Sequence, residues 1–262
     1  MFVREKVIKA ILDSGENFMS GEQLSKKLGI SRTAVWKHIN ALREEGYNIE
    51  SVNKKGYRLA EKPDDILSSE NIAYNLPTEF IGKKVIHLDT VGSTNDYAKE
   101  IGNKVSGGTL IISEQQTKGK GRLGRVWKSK SGDGIWMSLI IKPKIEPYKA
   151  PFLTLVAGAS VVKALSNLGV EASIKWPNDI IVHNKKICGI LTELSAEMER
   201  VNYVVIGIGI NIKTIDFPDE IKEKATSLYK EGYKLSRVDI VRQFCIEFEK
   251  LYKGSILDGN KQ

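Results

Sequence analysis

Cysteine and histidine are scarce in this 262-residue chain: two cysteines, Cys188 and Cys245, and three histidines, His38, His87 and His183. No CxxC pair occurs and the histidines are scattered, which argues against a structural zinc site and against a disulfide framework. Long apolar runs are also missing. Strongly apolar runs such as Val201–Ile212, which is broken by Gly207, Gly209 and Asn211, stay short of a bilayer span. The opening residues carry no apolar core followed by a small-residue cleavage site, so no secretory signal is read. A soluble, cytoplasmic protein without a membrane partner is the expectation. Acidic residues are the minority, 32 against 40 Lys and Arg, giving +8 and a pI near 9.2. That surplus favours anionic partners without choosing among them. With 41% hydrophobic residues the chain can bury a core, and its length suggests two domains.

Residues 1–62 form a unit of their own. Val7, Ile8, Ile11 and Leu12 recur at helical spacing in Glu5–Ser14. A second, short helix runs from Ser20 to Gly29. Ser31 can cap a third, Arg32–Glu45, with Val35, Ile39 and Leu42 on one face. Tyr47–Leu59 then alternates around Asn53–Gly56, which predicts a hairpin with a basic turn. This order is that of a winged helix-turn-helix. Leu24, Leu28, Ala34 and Val35 would fix the two helices. Ser31, Arg32, Thr33, Lys37 and Asn40 would then meet a major groove, and Lys54 and Lys55 would meet phosphates. Twelve Lys and Arg against eight Asp and Glu, net +4, fit operator DNA as the partner.

Residues 63–68 read as a linker containing Pro63, and 69–262 as the larger domain. Helices are expected at Ser69–Asn75, Thr94–Gly102, Lys149–Leu168 and Arg237–Tyr252. Strands are expected at Lys84–Leu88, Thr109–Glu114, Ile135–Ile141, Ala172–Lys175, Ile180–His183, Lys186–Leu194 and Val201–Ile210. Consecutive strands with short turns predict an α+β fold: a mixed, mainly antiparallel sheet with helices on one face.

Four stretches could carry chemistry. Thr117–Gly132 has six basic residues, four glycines and no acid. Glycines let the backbone approach a ligand, arginines grip phosphate or carboxylate, and Trp127 offers an aromatic face. Gly119–Gly124 matches GxGxxG, but no helix pattern follows, so the dinucleotide reading fails. In Lys175–Asp179, Pro177 forces a turn beside a lysine able to neutralise developing charge. In Gly92–Asp96, hydroxyls open a helix and can bond a ureido or amide group. In Gly207–Asn211, two glycines admit a flat ring.

Taken together, Ser93–Asn95, Gln116, Gly119–Arg125 with Trp127, Lys175–Asp179, Gly189–Leu191 and Gly207–Asn211 resemble the biotin–protein ligases. The whole chain to about residue 252, including Ser31–His38, resembles the bifunctional biotin ligase/biotin-operon repressor group. The resemblance implies the class II synthetase-like fold of that group. It implies that Ser93, Thr94, Asn95, Gln116, Lys120, Gly121, Arg122, Lys175 and Gly189 hold biotin. Arg122, Arg125, Trp127, Asn178 and Asn211 would hold ATP or the adenylate, with Lys175, Arg122 and Arg125 catalytic. The implied reaction makes biotinyl-5′-adenylate from biotin and MgATP and passes biotin to a lysine of a carrier domain of acetyl-CoA carboxylase. The adenylate would serve as corepressor of an adenylate-bound homodimer. The chain departs from the group in two places: Lys120 stands where an arginine is usual, and only Lys253–Gln262 follow the last long helix, where a small SH3-like β-barrel is expected. A biotin-sensing transcription factor with weak or lost ligase activity and a lipoate-type acyl ligase stay open as alternatives.

Overall fold

The computed structural model describes residues 3–61, 65–197 and 200–257, in two compact units, Met1–Tyr74 and Asn75–Gln262. Pro63 and Asp64 of the expected linker lie outside the described residues.

In the first unit, α1 (Val3–Asp13), α2 (Gly21–Leu28) and α3 (Arg32–Glu44) precede a hairpin of β1 (Ile49–Val52) and β2 (Gly56–Leu59). Local chemistry sets these bounds. Ser20 and Gln23 close a reciprocal capping box on α2, Gly29 ends it in the left-handed conformation, and Ser31 caps α3 by accepting the Ala34 N–H at 3.1 Å. Val7, Ile8, Ile11, Leu24, Val35, Ile39, Leu42 and Ile49 form the core. Gly56 sits at φ +113°, and a Cβ there would collide with the Met19 carbonyl, so the wing requires glycine. A short helix, α4 (Ser69–Ala73), contacts α1 and belongs to this first unit, although the sequence places it at the head of the larger domain.

The second unit is built on a seven-stranded sheet. Its strands are β3 (Val85–Val91), β4 (Leu110–Gln116), β5 (Gly134–Ile141), β6 (Ser173–Lys175), β7 (Asp179–Val182), β8 (Lys185–Glu197) and β9 (Arg200–Asn211), in the order β3-β4-β5-β9-β8-β7-β6. Only β3 and β4 run parallel, so the sheet is mixed and mainly antiparallel. Helices α5 (Thr94–Ile101), α6 (Phe152–Asn167) and α7 (Arg237–Tyr252) cover it.

The helices do not share one face. Adjacent residues of β8 point to opposite sides: Glu193 bonds Lys99 of α5, whereas Thr192 bonds Thr154 of α6. The long pair α6 and α7 pack together on one face, and α5 sits on the other over Ile111, Ile140, Tyr203 and Val205. The physical reason is visible in β5, whose eight residues are all buried. A central strand with no polar alternation must be covered on both sides.

The stretch Pro147–Asn167 is long and apolar enough to cross a bilayer by composition, which the sequence reading passed over. Half of it is buried in this unit, against β6, β7, β8 and α7.

Near the end of α7, Glu249 accepts backbone N–H groups from Glu79, Phe80 and Ile81 at 2.7, 2.9 and 3.0 Å. Burial pushes its pKa up, but the three N–H donors and Lys253 pull it down harder, to below the usual 4.5. A carboxylate whose folded pKa is lowered stabilises the fold above its unfolded pKa and loses that contribution as pH falls through the folded value. Glu249→Gln is therefore expected to lower the urea midpoint of unfolding at pH 7, with the gap to the parent chain narrowing below pH 4.5. An equal gap at pH 7 and pH 3 would refute this origin.

Candidate functional site

The register of the sheet assembles the site. Cross-strand pairing aligns Lys175 of β6 with Asp179 of β7, Asp179 with Gly189 of β8, and Gly189 with Gly209 of β9. The next row on the same face aligns Leu191, Gly207 and Ser138. Residues directly opposite one another share a face. One face thus carries a charged edge, a glycine floor and a hydroxyl, and this is the face that α5 partly covers.

The glycines are there for space. A Cβ on Gly189 or Gly209 would come within 2.9 and 2.6 Å of the Trp127 indole, and one on Gly207 would strike the Asn95 amide. Trp127 therefore lies over the floor. Lys186 Nζ is 5.2 Å from its ring centroid and 2.7 Å from Asp179. The Trp127 indole Nε1 is buried with no hydrogen-bond acceptor among the described residues, an expensive state for a donor.

At the start of α5, Ser93 caps the helix by accepting the Asp96 N–H. The Gln116 side-chain oxygen accepts from the Thr94 N–H at 2.8 Å and the Thr94 hydroxyl at 3.1 Å. The Ser138 hydroxyl lies 2.7 Å from Thr94 Oγ1 and 2.6 Å from Asn95 Oδ1. Asn95 Nδ2 donates to the Leu191 carbonyl at 3.2 Å and to Glu193 at 2.8 Å. Ser93, Thr94 and Asn95 are all nearly fully buried.

The basic loop forms a flap. Gln116 pairs with Ser129, Lys120 with Val126, and a short 3₁₀ turn, Arg122–Gly124, makes the tip. Arg122 donates to Asn178 Oδ1 at 2.8 Å, and Asn178 Nδ2 donates to the Ile190 carbonyl at 2.9 Å, which ties the tip to the Lys175–Asp179 turn. Arg125 and Lys175 are exposed.

All thirteen ligand residues expected from the sequence line one cavity of about 790 Å³: Ser93, Thr94, Asn95, Gln116, Lys120, Gly121, Arg122, Arg125, Trp127, Lys175, Asn178, Gly189 and Asn211. Asn211 also holds the wall, donating to the Thr226 carbonyl at 3.1 Å. The sequence reading missed Lys186 and the segment Thr214–Ala225, which completes the rim. Lys186 reads as a hairpin cation, and the segment has no periodicity. Main-chain bonds from Lys186 N to the Lys224 carbonyl (2.8 Å) and from Thr226 N to the Lys186 carbonyl (2.9 Å) bring it in.

Among the described residues no group of three His, Cys, Asp or Glu side chains could hold a metal ion. Cys188 is buried, and burial pushes its thiol pKa well up, so it supplies no thiolate.

In the first unit, Ser31, Arg32, Thr33, Lys37, Lys54 and Lys55 are exposed. Asn40 is half-buried and accepts from Arg43 at 3.3 Å. Trp36, 54% exposed on the same helix, was not among the expected contacts.

A family model described as the biotin/lipoate A/B protein ligase family matches residues 88–211, and a helix-turn-helix domain model matches residues 3–58. The bifunctional ligase/repressor BirA of Bacillus spizizenii is 46% identical over 262 residues, covering 98% of this chain and 80% of that protein. The Escherichia coli protein of the same name is 38% identical, covering 87% of this chain and 70% of that one. The biotin protein ligase from Aquifex aeolicus in complex with biotin and ATP matches with a TM-score of 0.59 at 36% identity, covering 67% of this chain and 72% of that chain.

Proposed function

Because this chain belongs to the family of bifunctional biotin ligase/repressors, we propose that its cavity joins biotin to ATP as biotinyl-5′-adenylate and then transfers biotin to a lysine of a biotin carboxyl carrier domain. The chain is a biotin ligase with a helix-turn-helix repressor domain, and its partners are a carrier protein and DNA. The observation that carries the site assignment is the convergence of four sequence motifs on one cavity.

In this reading Thr94, Asn95 and Gln116 face the ureido ring, and the glycine floor admits the bicycle. The biotin carboxylate attacks the α-phosphorus of MgATP, and pyrophosphate leaves. Arg122, Arg125 and Lys175 offset the charge, with Lys186 adding a cation on the same wall. A lysine amine then attacks the acyl carbon and AMP leaves. No side-chain nucleophile takes part, so positioning and charge carry the rate. Magnesium enters with ATP as part of the substrate. In the same reading Asn178 and Asn211, which line the cavity, contact the nucleotide.

The reading extends to a cytoplasmic protein. Its adenylate-bound form pairs into a homodimer, so that two helix-turn-helix units address two half-sites. Labelled biotin, ATP and a carrier domain test it. Pyrophosphate release with no labelled carrier would favour a biotin sensor without transfer. Operator binding that ignores biotin would remove the corepressor role.

Arg122→Ala is expected to speed adenylate dissociation about 10- to 100-fold, the worth of a hydrogen bond to a charged group. The ligand-free melting temperature should hold, because the exposed Arg122 bonds only Asn178 among the described residues. A large drop in that temperature would count against a ligand role.

A further inference from the structure

One polar chain leaves the flap at Lys120 and returns to it at Ser129. Lys120 Nζ lies 2.7 and 2.8 Å from the two carboxylate oxygens of Asp96 on α5. Lys99 Nζ reaches the same carboxylate at 3.1 Å and Glu193 at 2.7 Å. The other Glu193 oxygen accepts from Asn95, whose amide oxygen meets Ser138, and Ser138 meets Thr94. Thr94 donates to Gln116, and Gln116 Nε2 donates to Ser129 Oγ at 2.8 Å. The three side chains placed at the ureido end, Thr94, Asn95 and Gln116, are therefore interior links of a network whose two ends are in the flap.

We propose that Asp96 is a positioning residue that latches the flap through Lys120, and that the network couples filling of the ureido end to closure of the flap. The coupling rests on the biotin reading above; the latch does not. Lys120 then acts with its ammonium on α5 and offers the ligand only its backbone. Both Asn95 amide N–H groups are used. Its amide nitrogen serves Leu191 and Glu193, and its oxygen serves Ser138, so a ligand that displaces one bond shifts its neighbours. Burial raises the Asp96 pKa, but Lys120 and then Lys99 lower it further, to below 3.8, so the latch stays charged at neutral pH.

Tryptic cutting after Lys128 and Lys130, followed by mass spectrometry on the full chain, tests the latch without ligand. Asp96→Asn is expected to speed cutting about threefold, the scale of a half-exposed ion pair. Lys120→Gln should do the same, the double variant no more than either alone, and Asp96→Glu should restore the parent rate. An unchanged rate in Asp96→Asn, or additive effects in the double variant, would overturn the latch. Biotin should slow cutting of the parent chain and protect Asp96→Asn less; equal protection would overturn the coupling. Calorimetry of the parent chain with biotin separates the two failures. If biotin does not bind, the biotin reading fails, while the ligand-free rates still decide the latch.

Discussion

Lys175→Ala is expected to slow biotin-dependent pyrophosphate release by about 10²–10³-fold, the range seen when one preorganised charge-stabilising donor is removed. Biotin affinity should stay close to that of the parent chain. The argument rests on where the ammonium sits. Lys175 ends the edge strand β6, in register with Asp179 and at the charged end of the row that continues through Gly189 and Gly209. Asp179 is already paired with Lys186 at 2.7 Å, so the Lys175 charge is left for a ligand. The ureido-facing groups lie a row away on α5 and β4, so removing the ammonium leaves them in place. Because Lys175 is exposed, its loss creates no cavity and leaves no buried charge, and folding should be unaffected. Calorimetry with biotin and a pyrophosphate assay on the same preparation separate the two steps. A raised KM for biotin with kcat intact would move Lys175 from charge stabilisation to ground-state binding.

What could be read from the sequence was the chemistry that acts over a few residues. Ser20 with Gln23, Gly29 and Ser31 fix the helix ends of the first unit by local hydrogen bonds, and Pro177 with Asn178 fixes a turn. Such signals need no knowledge of the rest of the fold. The glycines of Gly207–Asn211 announced a close approach but not its cause. Only the β8–β9 register sets Gly189 beside Gly209 and puts Trp127 on top. Lys186, Asp96, Glu193 and Ser138 were invisible for the same reason. Each is ordinary in its own segment, and its role comes from partners such as Asn95, which lies 43 positions from Ser138 and 98 from Glu193. The placement of α5 opposite α6 and α7 was within reach, since Ile135–Ile141, apolar except for the small Ser138, already asks for cover on two sides.

Arg237→Met is expected to destabilise the larger unit by about 3–5 kcal/mol, the usual result of removing one member of a buried ion pair. Arg237 opens α7 and is only 5% exposed. Two of its nitrogens meet the two Glu114 oxygens at 2.7 and 3.2 Å, and one reaches the Gly134 carbonyl at 3.5 Å. Glu114 stands two residues before Gln116, where the flap leaves β4, and Gly134 begins β5, where the chain returns from it. The guanidinium thus ties α7 to both strands that carry the flap. Met keeps most of the apolar stem but leaves the largely buried Glu114 carboxylate without this partner, and that uncompensated charge is the main loss. Glu114→Leu on top of Arg237→Met should restore much of the stability, because no charge is then stranded. Urea unfolding of the single and double variants reads both effects. A single-variant loss below about 1 kcal/mol would mean that the desolvation of the pair already offsets its attraction in the parent fold.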